Sequence, residues 1–291
     1  MNRKILSVIF NLLLPVLIII PGYRVAQPAS STAMTVTSKA APHRIIVYKN
    51  NFDKLTTGVT QPFPGAAGQD GWFSELAVSP GYGEIQSDIT IGRRALHEFT
   101  SSSVPNHYQT IDKRLLTPPD LSQYPLLTLR VDFYAHTSDL AASNIFNATV
   151  AVNGGPHPGF EILAFNVYSG NGIPKQDAGV NIGLNLFNGV DNNEPIPLAV
   201  GQNLAWDTWH SVILVADHAG DHYVSLKVDG KSEDLSAYAL PRSFVDESVW
   251  MRGQLMEELI AVIIPNSDFE GASDDDIYWD RLQVTVEQGR R

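Results

Sequence analysis

A chain of 291 residues, 44% hydrophobic and 18% charged, carries enough apolar mass for one large domain or two small ones and is too hydrophobic to stay disordered. Its net charge of −11 argues against nucleic acid and anionic lipid as partners, since both repel an acidic surface. The absence of cysteine excludes disulfides, a thiol nucleophile and a thiolate metal centre.

The chain opens on the basic stretch Asn2-Arg3-Lys4, followed by an apolar run from Ile5 to Ile20 that only Ser7, Asn11 and Pro15 interrupt. Pro21-Gly22 and a small, polar stretch from Ala26 to Ala33 come next. This is the three-part layout of a secretory signal, and the apolar run falls short of the roughly 20 residues that a membrane span needs. Residues 1–33 are therefore expected to be a signal peptide, with an uncleaved anchor as the alternative. In that alternative the leader is the protein's one expected link to a membrane. Both Ser31-Thr32-Ala33 and Ala29-Ser30-Ser31 offer acceptable cleavage residues. No acidic residue precedes Asp53, so loss of the leader removes Arg3, Lys4 and Arg24 and no acid. The remainder holds 17 basic against 31 acidic residues, a net −14. The expected location is secreted or extracytoplasmic, and an exported chain without disulfides is more typical of bacteria.

Residues 34–44 read as a Ser-, Thr- and Ala-rich tether. From there the strand signals are dense. Arg44 to Tyr48 opens the domain, and Leu126 to Ala135 alternates, with Leu127, Leu129, Val131 and Phe133 on one face and Thr128, Arg130 and Asp132 on the other. Asn147–Val152, Phe160–Tyr168 and Val180–Phe187 follow. Trp209–Ala216 and Tyr223–Val228 flank a turn at residues 217–221. Leu259–Ile264 and Ile277–Val286 close the chain, with Leu282, Val284 and Val286 facing in and Arg281, Gln283, Thr285 and Glu287 facing out. The segment Ser248 to Ile260 fits either a short helix or a strand after a loop. Many short strands split by Gly, Pro and Asn clusters predict an all-β, two-sheet antiparallel sandwich over residues 45–288, with 289–291 as a tail.

Three segments carry a family likeness. They are Asn51-Phe52-Asp53 through Gly58 with Gly68-Gln69-Asp70-Gly71-Trp72; Trp206 through Val212 with Tyr223 through Gly230; and Asp276-Ile277-Tyr278-Trp279-Asp280-Arg281-Leu282-Gln283-Val284. Their order and spacing resemble the concanavalin A-like lectin/glucanase superfamily in its laminin-G-like branch, across about residues 48–287. The resemblance implies a jelly-roll sandwich. It also implies a structural calcium that ties the first strand to the last, with Asp53, Asp275, Asp276 and Asp280 as the matching oxygen donors. The plain alternative for Asp274-Asp275-Asp276 is a solvated acidic loop. Trp72, Trp209 and Trp279 are expected to pack in the core, with sugar stacking as the alternative.

Catalytic patterns are sparse. Retaining glycoside hydrolysis needs two carboxylates about 5 Å apart, which a Glu-x-Asp-x-x-Glu strand would aim into one cleft, and Phe160–Phe165 offers only Glu161. Glu257-Glu258 diverge on a helix or a strand. His218 and His222 fall in a predicted turn, and the remaining histidines follow no zinc spacing. No Gly-x-Ser-x-Gly elbow and no phosphate-cradling Gly-rich loop occurs. Ligand contact is expected on polar and aromatic loops: Tyr82, Tyr168, Asn171, Asn185, Asp191 and Asn193 combine stacking faces with amide or carboxylate groups. The resulting expectation is a binding module for a polysaccharide or cell-surface glycan, without an evident catalytic site. The alternatives are a polysaccharide hydrolase or lyase with a non-standard site, and a structural or adhesive surface protein with a protein ligand.

Overall fold

A computed structural model describes residues 43–59, 69–72, 84–88, 91–99, 108–115, 123–137, 144–153, 160–169, 179–184, 196–243, 259–268 and 275–288. The leader, Tyr82, Asn171, Asn185, Asp191 and Asn193 lie outside these residues. The strands are β1 (Arg44–Asn50), β2 (Gly58–Val59), β3 (Glu84–Asp88), β4 (Arg93–Phe99), β5 (Tyr108–Leu115), β6 (Leu126–Thr137), β7 (Asn144–Asn153) and β8 (Phe160–Ser169). They continue with β9 (Val180–Leu184), β10 (Ile196–Pro197), β11 (Trp209–Asp217), β12 (His222–Val228), β13 (Lys231–Asp234), β14 (Arg242–Ser243), β15 (Leu259–Asp268) and β16 (Asp275–Glu287).

They form two antiparallel sheets. A nine-stranded sheet runs β13-β12-β11-β6-β16-β4-β3-β2, with β1 also paired to β16. A seven-stranded sheet runs β10-β9-β8-β7-β15-β5, with β14 on β8. The two-sheet antiparallel jelly-roll sandwich expected from the strand pattern is the fold observed. Of the ambiguous segment before β15, Leu259 and Ile260 are strand, and residues 248–258 lie outside the described ones.

The core follows from strand periodicity. Successive side chains alternate faces, so Leu127, Leu129, Val131 and Phe133 of β6 and Leu282, Val284 and Val286 of β16 all turn inward and are at most 2% exposed. They meet Leu163, Phe165 and Val167 of β8 and Val180, Ile182 and Leu184 of β9. Trp279 spans the gap, 6.2 Å from the Phe133 ring and 6.4 Å from that of Phe165. Tyr223 crosses as well. Its hydroxyl donates to the Ala164 carbonyl and accepts from the Ala164 amide, each at 3.3 Å, and burial pushes the phenol far above its usual range.

Two turns show why the recognisable motifs look as they do. Asp229 (φ 47°) and Gly230 (φ 88°) give the left-handed pair that a tight hairpin between β12 and β13 demands. The Asp229 carboxylate then accepts from the Ser211 amide at 2.9 Å and meets His210 Nδ1 at 2.7 Å, while His210 Nε2 meets the Ala205 carbonyl at 2.8 Å. His210 is thus a structural residue. Near the start, Asp70 (φ 54°) and Gly71 (φ 74°) turn the chain so that Trp72 is fully buried. Gln69 clamps both backbone groups of Thr56, and Asp70 accepts from Tyr48 (2.7 Å) and Asn50 (2.8 Å).

Candidate functional site

The outer face of the nine-stranded sheet carries the densest chemistry among the described residues. Because β6 sends Leu127 to Phe133 inward at alternate positions, Asp132, Tyr134 and His136 must face out. Register then sets their neighbours. Trp209 of β11 lies opposite Tyr134, Tyr134 opposite Tyr278 of β16, and Tyr278 opposite His97 of β4. The result is a row of rings four strands wide, with centroids 5.6 Å, 5.9 Å and 4.5 Å apart in turn. His97 and Tyr278 stack at an interplanar angle of 16°. Trp209 and Tyr278 are half-buried, whereas Tyr134 and His97 are buried. Ile91 and Ala95 complete a small apolar cluster beneath the row, separate from the main core.

Histidine–aspartate pairs line one flank. His97 Nε2 is 2.7 Å from Asp276, and His136 Nδ1 is 2.6 Å from Asp207, which also accepts from the Tyr134 hydroxyl at 3.3 Å. The other flank is an acid pair bridged by arginine. Asp132 and Asp280 face each other across β6 and β16, each side chain 5% exposed. Arg93 Nη1 reaches Asp280 at 2.8 Å and Asp132 at 3.2 Å, and Arg281 reaches Asp132 at 3.4 Å. Burial raises the Asp280 carboxyl above its ordinary range, while Arg93 and the Arg281 amide pull it back. Asp132 Oδ1 has no hydrogen-bond partner among the described residues. The Arg93 guanidinium sits 3.9 Å from the Trp209 ring centroid, and the Trp209 indole donates to the Ile91 carbonyl at 2.7 Å. Arg281 adopts φ 51° where β16 slips register, so this irregularity delivers its amide to Asp280 at 2.7 Å.

Trp72 and Trp279 are core residues, as expected. Trp209 is not: His210, Val212 and Leu214 take the inward positions of β11, so alternation turns Trp209 out. Its indole does find a carbonyl, but on the outer face. Of the four expected calcium donors, the Asp275 side chain lies outside those described, and the other three have separate partners. Asp53 is exposed and held by Asn51, Asp276 belongs to His97, and both oxygens of Asp280 are taken by Arg93 and the Arg281 amide. Among the described residues no group of three His, Asp or Glu side chains is placed to hold a metal.

Tyr168 lies at the end of β8 on the other sheet, opposite Asn181 of β9 and 8% exposed. Burial raises its phenol, and Gln202 bonds to it. Asn181 accepts from the Asn203 amide at 3.0 Å. Tyr168 is therefore packed among amides rather than presented as an open ring. His218 is buried against the Tyr124 carbonyl at 2.7 Å, and His222 meets the Gly220 carbonyl at 3.0 Å, so the two do not converge.

Sequence reasoning did not find β4, which supplies Arg93 and His97 to this face and Glu98 to the core. Glu98 is fully buried and accepts from the Trp279 indole at 2.9 Å. Charges on both faces of Arg93–Phe99 hide its alternation.

No family model matches the chain, and no curated protein matches it. Solved structures do share its fold. A conserved carbohydrate esterase from the Shiga toxin-encoding bacteriophage phi24B superposes with a TM-score of 0.51 at 15% identity, over 84% of this chain and 99% of that one. An alginate lyase from a Chlorella virus gives 0.42 at 13% identity, over 84% and 100% of the two chains. An endo-acting O-glycanase expressed by human gut microbiota gives 0.45 at 10%, over 83% and 99%. At these identities the likeness concerns the fold.

Proposed function

We propose that this chain is an exported carbohydrate-binding jelly roll whose ligand lies over the ring row of the nine-stranded sheet. The observation that carries the reading is that row itself. Trp209 and Tyr278 keep accessible ring surface, flanked on both sides by charged groups already fixed in pairs. Sugar rings need an apolar face to stack on and preset hydrogen-bonding groups for their hydroxyls, and this face offers both. Both arginines of the site are already engaged by carboxylates, which favours a neutral glycan over an acidic one. The sandwich shared with a phage carbohydrate esterase supports the reading at the level of fold. The test is a glycan array with the purified chain: selective retention of one neutral glycan class, lost in Trp209→Ala, is the expected result. A blank array rejects the reading.

One observation favours a second reading, a retaining glycoside hydrolase. Asp132 and Asp280 contact the same arginine nitrogen, so their oxygens lie no farther apart than the sum of those two contacts. That bound admits the roughly 5 Å separation retaining enzymes use, and the raised Asp280 carboxyl suits the acid of such a pair. Release of reducing sugar from an array-positive glycan, abolished in Asp280→Asn, would establish it.

A further inference from the structure

The same sheet face carries a second line of chemistry that the ring row does not use. Register places Ser232 (β13), Lys227 (β12), Ile213 (β11), Arg130 (β6), Gln283 (β16) and Lys49 (β1) in one straight row across six strands. Val131 and Leu129 face the core on either side of Arg130, as Leu226 and Val228 do beside Lys227, so these cations point outward. Lys49, Arg130 and Lys227 are all exposed, and none forms an ion pair among the described residues. The acids nearest in register are engaged elsewhere: Asp132 and Asp280 with Arg93, Asp229 with His210 and the Ser211 amide, and Asp234, at the sheet edge, with the Ser236 amide. In a chain of net charge −11, an unpaired basic row is a local reversal of sign.

Its spacing is regular. Each cation stands two strands from the next, about 9.5 Å apart at ordinary strand separation. That is roughly the repeat of a disaccharide in an extended glycan. It is wider than the about 3.4 Å axial rise per phosphate of a nucleic-acid strand. Two of the three cations are lysines, compact point charges that suit a tetrahedral oxyanion without demanding the planar fork of a carboxylate.

We propose that this row binds a linear sulfated polysaccharide laid across the strands, one sulfate ester per cation. It rests on different residues from the ring row and survives if the neutral-glycan reading fails. The test is retention of the full chain on immobilised dextran sulfate, polygalacturonate, duplex DNA and uncharged dextran over a range of salt. Dextran sulfate is expected to retain the chain, with affinity falling as salt rises. Each of Lys49→Gln, Arg130→Gln and Lys227→Gln should weaken retention several-fold and lower the logarithmic salt slope by about 1. The triple variant should elute with the dextran control while keeping the melting temperature of the parent. Trp209→Ala should be retained in full. Undiminished retention of the triple variant, equal retention on polygalacturonate or duplex DNA, or loss of retention in Trp209→Ala would each overturn the assignment.

Discussion

The two faces of the nine-stranded sheet are built from the same strands and obey opposite rules. On the inner face, residues are interchangeable in kind: Leu129, Val212, Val284 and their neighbours need only be apolar and fit. Around the ring row of the outer face, residues depend on named partners one strand away, such as Arg93 on Asp280 or His97 on Asp276. The inner face stores stability. The outer face stores geometry, and geometry is what recognition needs.

Four substitutions can break or sharpen this contrast. Trp279→Ala removes the largest bridge across the core and is expected to cost about 3–5 kcal/mol in a denaturant melt. Arg93→Ala leaves Asp132 and Asp280 facing each other without their shared cation and should cost about 2 kcal/mol. A second change, Asp280→Asn, should recover part of that loss, which a double-mutant cycle measures. If Arg93→Ala costs as much as Trp279→Ala, the outer face also carries the fold and the division fails. Tyr223→Phe keeps the ring and removes the two bonds to Ala164, for about 1 kcal/mol.

The smallest effect is a pH dependence. Burial raises Asp280, so between the ordinary carboxylate range and its raised value the folded chain holds more protons than the unfolded one. Stability from this group is present at low pH and declines as pH rises through that window. Asp280→Asn lacks the decline. Melts should therefore show the variant gaining on the parent as pH rises above the ordinary carboxylate range, and a constant gap would mean that Asp280 does not titrate above that range.

Much of the inner face was legible in the sequence, because period-two alternation in β6 and β16 names the core residues directly. Asp229-Gly230 and Asp70-Gly71-Trp72 were legible for a similar reason, since a left-handed turn leaves a local mark. The outer face was not. Trp209 reads as a core residue until the inward run His210, Val212 and Leu214 is known to set the phase of β11. Arg93 and His97 sit on a strand whose polar residues mask its period. The pairs that define the site join residues separated by up to 187 positions, as Arg93 and Asp280 are, and only register across strands connects them. Likewise Asp276 and Asp280 are near neighbours in sequence but go to separate partners, His97 and Arg93.

One feature of the topology bears on when the fold can form. The strand at the middle of the nine-stranded sheet, β16, is the last of the sixteen, and it pairs with β6, β4 and β1. In the other sheet β15 joins β5 to β7. A ribosome must therefore finish nearly the whole domain before either sheet can close. Until then both sheets stay open, and folding is slow because the contacts that close them are distant in sequence.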